Sequence, residues 1–117
     1  MSTSNSFKLN SNFAYAGETV YLTTSQDNYN IYATFQSSKD SNVNVKLAVQ
    51  EVNSNEAWVT IETIQAGNAQ GGGSRSVQFT NYSTAGDRNL RVVAYLYDGW
   101  TGYTSLMQTC VGSMFIR

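Results

Sequence analysis

Val43-Asn44-Val45-Lys46-Leu47-Ala48-Val49-Gln50 is the stretch that decides the fold class. Apolar residues hold every odd position, and all the even positions but Ala48 are polar. Side chains alternate faces along an extended chain, so this pattern reads as a strand with one face in a core. A helix would instead need apolar residues three and four apart.

The same period recurs along the chain. Leu90, Val92, Ala94 and Leu96 alternate with Arg91, Val93, Tyr95 and Tyr97. Ile31, Ala33 and Phe35 alternate with Tyr32, Thr34 and Gln36, and Val20 and Leu22 lie in phase between Thr19, Tyr21 and Thr23. Val59 and Ile61 continue the inward set, as do Val77 and Phe79. Residues 106–116 make a last strand with a bulge at Gly112, and a weaker strand covers residues 7–10. No segment carries a helical stripe. The breaks are turn chemistry: Gly17, Asp27-Asn28, Asp40-Ser41-Asn42 and Asn53-Ser54-Asn55. Residues 66–74, with Gly71-Gly72-Gly73, read as a flexible loop, and residues 82–89 as another. The prediction is an all-β fold: a single antiparallel β-sandwich of seven or eight strands, immunoglobulin-like or jelly-roll. The sandwich occupies residues 11–117, and residues 1–10 form a polar N-terminal arm or edge strand. Val45, Leu47, Val92, Ala94 and Leu96 are expected to be buried together.

Composition narrows the function. Lys and Arg number 7 against 8 Asp and Glu, so there is no basic excess to neutralise phosphates, and nucleic acid is not an expected partner. No apolar run approaches the ~20 residues of a membrane helix, so membrane insertion is not expected either. Histidine is absent, which removes the usual imidazole acid/base. Ser, Thr, Asn and Gln together make 45 of the 117 residues. That suits an ordinary β-domain, and it also suits a weakly charged surface that packs against copies of itself. Residues 1–10 lack the apolar stretch of a secretory leader. An extracellular, cell-surface or virion location is nevertheless expected from the surface chemistry.

Residues 76–97 read Ser-Val-Gln-Phe-Thr, a loop with Ala85-Gly86-Asp87, then Leu90-Arg91-Val92-Val93-Ala94-Tyr95. This resembles the E–F segment of immunoglobulin-like and fibronectin-type modules. Leu90 stands where their corner tyrosine would be, and the sandwich disulfide is absent. The order of the C-terminal strands is also similar to jelly-roll subunits of bacterial surface filaments, without their cysteine-rich connector.

No catalytic constellation emerges, and the protein is read as a non-enzyme without a metal or cofactor. Asp87 and Asp98 flank opposite ends of one strand. Glu51 and Glu56 can face each other across a turn, at the spacing of a glycosidase pair, but acids beside a turn are ordinarily solvated. Neither Asp27 nor Asp40 sits in a calcium-loop pattern. Gly71-Gly72-Gly73-Ser74 lacks the ending of a phosphate loop. Asn81-Tyr82-Ser83 matches a glycosylation sequon of low specificity. The lone Cys110 reads as a small buried hydrophobe, with an intermolecular disulfide as the other possibility.

The aromatic residues are more informative. Tyr21, Tyr32, Tyr95, Tyr97 and Trp58 are out of phase with the inward positions of their strands, and Trp100 and Tyr103 lie beside Asp98 in the last connecting loop. These eight residues are the candidate binding or assembly surface, because Tyr and Trp bury much area at low entropy cost. The leading expectation is a structural subunit of a virion, surface filament or surface layer, acting as a homo-oligomer or larger assembly. The alternative is a carbohydrate-binding module whose exposed Trp and Tyr stack on a glycan.

Overall fold

The structure, a computed structural model, describes residues 2–84 and 86–117. Met1 of the arm and Ala85 of the Gly86-Asp87 corner lie outside the described residues. Nine strands follow in order among the described residues: β1 (Ser2–Lys8), β2 (Thr19–Gln26), β3 (Ile31–Gln36), β4 (Asn42–Val52), β5 (Trp58–Gln70), β6 (Ser74–Phe79), β7 (Asn89–Asp98), β8 (Leu106–Val111) and β9 (Phe115–Ile116). They form two antiparallel sheets, β1-β2-β3-β6 and β5-β4-β7-β8, with β9 also pairing to β7. The two sheets pack as a β-sandwich, as the period-two pattern predicts.

The centre of the larger sheet is the β4–β7 pair. Val45 lies opposite Leu96, Leu47 opposite Ala94 and Val49 opposite Val92, and all six are fully buried. Val20, Leu22, Ile31, Phe35 and Phe79 meet them from the smaller sheet. Each of these large side chains contributes about 1.5–3 kcal/mol by leaving water.

Polar side chains close the flanks. The Asn5 amide donates to Ser113 Oγ and its carbonyl accepts from the Ser113 N–H, at 3.0 and 3.2 Å. Gln108 Nε2 donates to the Lys8 carbonyl, and Asn10 and Asn12 both donate to the Met107 carbonyl. The polar arm is therefore a full edge strand, paired along its length with β2 and clasped to β8 of its own chain. Gly112 interrupts the last strand between β8 and β9, where any Cβ would stand 2.8 Å from the Val92 carbonyl. At the lower end the buried Arg117 guanidinium donates to the Tyr82 and Asp27 carbonyls and to Gln26 Oε1. That side chain pins the end of the larger sheet to the β2–β3 turn of the smaller one.

Two expectations need correction. Val59 and Ile61 are not core: they are 44% and 45% exposed. Register shifts interrupt the β4–β5 pairing at two places, and Val59 pairs with Glu51 on the outermost strand of the sheet. The stretch 66–74 is not a loop. β5 runs through Gln70 and β6 starts at Ser74, leaving a three-residue glycine turn whose Gly71 and Gly72 take left-handed φ of 61° and 84°. Tyr82 lies between β6 and β7, in a loop as expected, and is buried edge-on against Phe79 while its hydroxyl donates to Glu62.

Val92 sits in this core with no polar partner within the sandwich. Val92→Asp is expected to unfold the domain or cost several kcal/mol, because an unpaired buried carboxylate is left without water. Circular dichroism during urea unfolding checks it; an unchanged midpoint would place the inward face on the wrong side.

Candidate functional site

The eight candidate residues do not converge on one site. They divide between the outer faces of both sheets and one connecting loop.

The outer face of the larger sheet carries Trp58, Tyr95 and Tyr97. Register places Trp58 beside Val52, Arg91 beside Gln50, and Tyr95 beside Lys46. All three aromatics are half-buried against their neighbours. The Arg91 guanidinium lies 4.1 Å from the Trp58 ring centre and donates to Gln50, whose amide in turn reaches the Tyr95 hydroxyl. Lys46 stands over both Tyr97 and Tyr103, at 5.2 and 5.4 Å. Tyr103 was expected to point outward from its loop. It instead packs edge-on against Tyr97 and accepts a hydrogen bond from the Gly67 N–H, because the loop folds back over the sheet. Exposed Leu106, Val111 and Ile116 extend this face across β8 and β9. No outward register position on β4, β5, β7 or β8 holds a carboxylate.

The outer face of the smaller sheet is chemically different. Ser2, Ser4, Ser6, Thr19, Thr23, Ser25, Thr34, Ser74 and Ser76 share it with Tyr21 and Tyr32. Hydroxyls pair across strands, Ser4 with Thr23 at 3.0 Å and Thr34 with Ser76 at 2.7 Å. Tyr21 is exposed. Tyr32 is committed: its hydroxyl donates to Asp27 at 2.6 Å, and the backbone N–H groups of Tyr29 and Asn30 donate to the same carboxylate. These bonds, Tyr32's first, hold the Asp27 carboxyl well below the ordinary range. Its lone pairs are thereby occupied by donors rather than offered to a cation.

Trp100 is 85% exposed on residues 99–105, the β7–β8 connection. Asp98 shapes that turn by accepting the Trp100 N–H at 3.0 Å. Asp98, Trp100, Asn12, Tyr15 and Met107 surround a cleft of about 280 Å³. Phe13 stacks on Tyr15 at 5.3 Å, and the Tyr15 hydroxyl bridges the Asn42 backbone. At the same end lies an open depression of about 680 Å³ that includes Glu18, Tyr21, Ser38 and Asp40. Sequence separation hides this juxtaposition, since Glu18 and Asp40 meet only when the β1–β2 and β3–β4 loops fold together. The Asp40 N–H donates to Glu18 Oε1 at 3.1 Å. The Asp40 carboxyl is raised by its contact with Glu18, while Ser38 and the Asp40 N–H lower that of Glu18.

Glu51 is held by Arg88 through two bonds of 2.9 and 3.0 Å, and Glu56 is exposed with a left-handed φ of 62°. Cys110 is fully buried, and desolvation pushes its thiol up to about 12. The native protein is therefore expected to leave a thiol reagent such as DTNB unreacted at pH 8, with one equivalent reacting on denaturation. Asp27 makes a second expectation. Its folded pKa lies below the ordinary 3.8, so its bonds stabilise the fold above that pH and are lost as pH falls below it. Between pH 6 and pH 3 the urea midpoint of the parent should drop further than that of Asp27→Asn. No protein-family model matches the chain, and no match was found among the curated proteins.

Proposed function

We propose that this protein is a non-catalytic structural subunit that self-associates through the outer face of its larger sheet. The observation that carries the reading is the composition of that face. Trp58, Arg91, Tyr95 and Tyr97 lie among exposed Leu106, Val111 and Ile116, and no carboxylate occupies an outward position. Trp, Tyr and Arg are the residues that dominate interface energetics, and depletion of acids marks the centre of an interface. Both cations are already spread over aromatic rings, so burying the face strips little water from a bare charge. A virion, filament or surface-layer setting outside the cell fits such a subunit. An immunoglobulin-like topology is favoured over a jelly roll by the strand orders: β2-β3-β6 matches A-B-E, and β4-β7-β8 matches C-F-G.

A carbohydrate-binding reading has one observation in its favour. The most exposed aromatic, Trp100, stands beside Asp98 and Asn12 at the mouth of a cleft, where a ring could stack and hydroxyls could bond.

Two variants separate these readings. Val111→Asp introduces an acid beside the exposed apolar residues at the β8 side of that face. It is expected to lower the mass seen by light scattering over a concentration series, weakening association by about 2–4 kcal/mol, with folding unchanged. Trp100→Ala is expected to leave that mass alone. A parent monomeric at millimolar concentration overturns the assembly reading. Retention on a polysaccharide gel that Trp100→Ala abolishes establishes the sugar reading instead.

A further inference from the structure

We propose that the free edge of β1 pairs with β1 of a second copy of this chain, antiparallel about a two-fold axis, joining their smaller sheets into one continuous sheet. β1 ends the order β1-β2-β3-β6, and it pairs with β2 in one unbroken register from Ser2 opposite Ser25 to Lys8 opposite Thr19. Just beyond it the Leu9 N–H donates to the Glu18 carbonyl, and the Leu9 carbonyl accepts from the Gly17 N–H. Backbone groups alternate sides along an antiparallel ladder, so Phe7, Asn5 and Thr3 also turn theirs toward β2. Ser2, Ser4 and Ser6 therefore point their N–H and C=O groups away from the sheet. Lys8 shares that phase, but its carbonyl already accepts from Gln108. The open edge is thus the stretch from Ser2 to Ser6.

The occupant follows from the chemistry of this edge, which is complementary to itself. In a two-fold pair centred on Ser4, that residue faces its own counterpart, and Ser2 of each copy faces Ser6 of the other. Every outward N–H and C=O then finds a partner. Between these pairs Thr3 meets Asn5, and no charged residue falls in the overlap, so no like charges are opposed. Small hydroxyl side chains already pair across strands on this face, Ser4 with Thr23 and Thr34 with Ser76. The other edges are blunted. β5 carries two register shifts, and its Gly67 N–H and Asn68 carbonyl are taken by Tyr103 and Arg75. That arginine bridges β6 to β5. β8 has a register shift of its own, and its Met107 carbonyl accepts from Asn10 and Asn12. Sheets use bulges and charged side chains to prevent strand addition, and residues 2–6 have neither. The Asn5 bonds to Ser113 hold the strand in place beforehand, so pairing orders little new chain.

The test uses the full chain carrying Val111→Asp, which disables the outer face of the larger sheet, so the two contacts are read apart. Cys110 is buried, which leaves the cysteine of Ser4→Cys as the thiol that pyrene maleimide labels. The expected result is pyrene excimer emission that grows with protein concentration and falls when excess unlabelled protein is mixed in. Ser6→Pro removes an outward N–H while leaving the bonds to β2 in place, and it should weaken pairing about tenfold or more. Ser4→Lys sets like charges against each other on the axis. Followed by light scattering, it should weaken pairing to a similar degree, with added sodium chloride restoring part of the loss. Should Ser6→Pro fail to fold, as judged by circular dichroism, Ser4→Lys decides. Monomer emission alone at every concentration, or association that the folded variants leave unchanged, overturns the edge pairing.

Discussion

The pairing of β4 with β7 is the constraint on which the rest of the sandwich depends. Both strands are sealed on the inner face by the core, and at Ala48 and Val93 they are sealed on the outer face too. A strand buried on both sides cannot slip by one residue without moving its whole apolar set to the wrong face. The register fixed there propagates outward. It places Asn44, whose amide donates to the Gly102 and Asp98 carbonyls and so anchors the loop bearing Trp100. At the other end it carries Glu51 to Arg88.

The neutral polar residues that fill this sequence have structural work as well as surface roles. Asn5, Asn10, Asn12 and Gln108 clasp the first strand to the last pair, and Asn68 reaches both Asn42 and Asn44 across the β4–β5 ladder. An amide can donate and accept at once, so it bridges two backbones without the desolvation cost of an ion pair. This explains how a chain with so few charges ties off both flanks of an open sandwich.

The two outer faces carry different chemistry on one scaffold. One is a lattice of hydroxyls paired strand to strand; the other gathers Trp58, Tyr95 and Tyr97 with cations laid on their rings. The loop end adds a cleft under Trp100 and a depression between two acids.

Much of the strand architecture was legible from alternation alone, because inward positions must be apolar wherever a sheet meets a core. Val43 to Val49 and Leu90 to Leu96 followed that rule without exception. Turn residues marked the hairpins at Asp27 and Asn53 for a local reason, since their side chains bond their own backbone. Val59 and Ile61 were misread because a bulge in the β4–β5 ladder, and the place of β5 at the edge of its sheet, leave no mark on a single strand's pattern. Tyr103 was misplaced for a related reason: whether a loop folds back over a sheet depends on what it finds there. The outward phase of Trp58 and Tyr95 followed from local periodicity, but the rings and cations that meet them come from distant strands. Glu18 and Asp40 lie 22 positions apart, and only the folding of two loops at one end of the sandwich brings their carboxylates together.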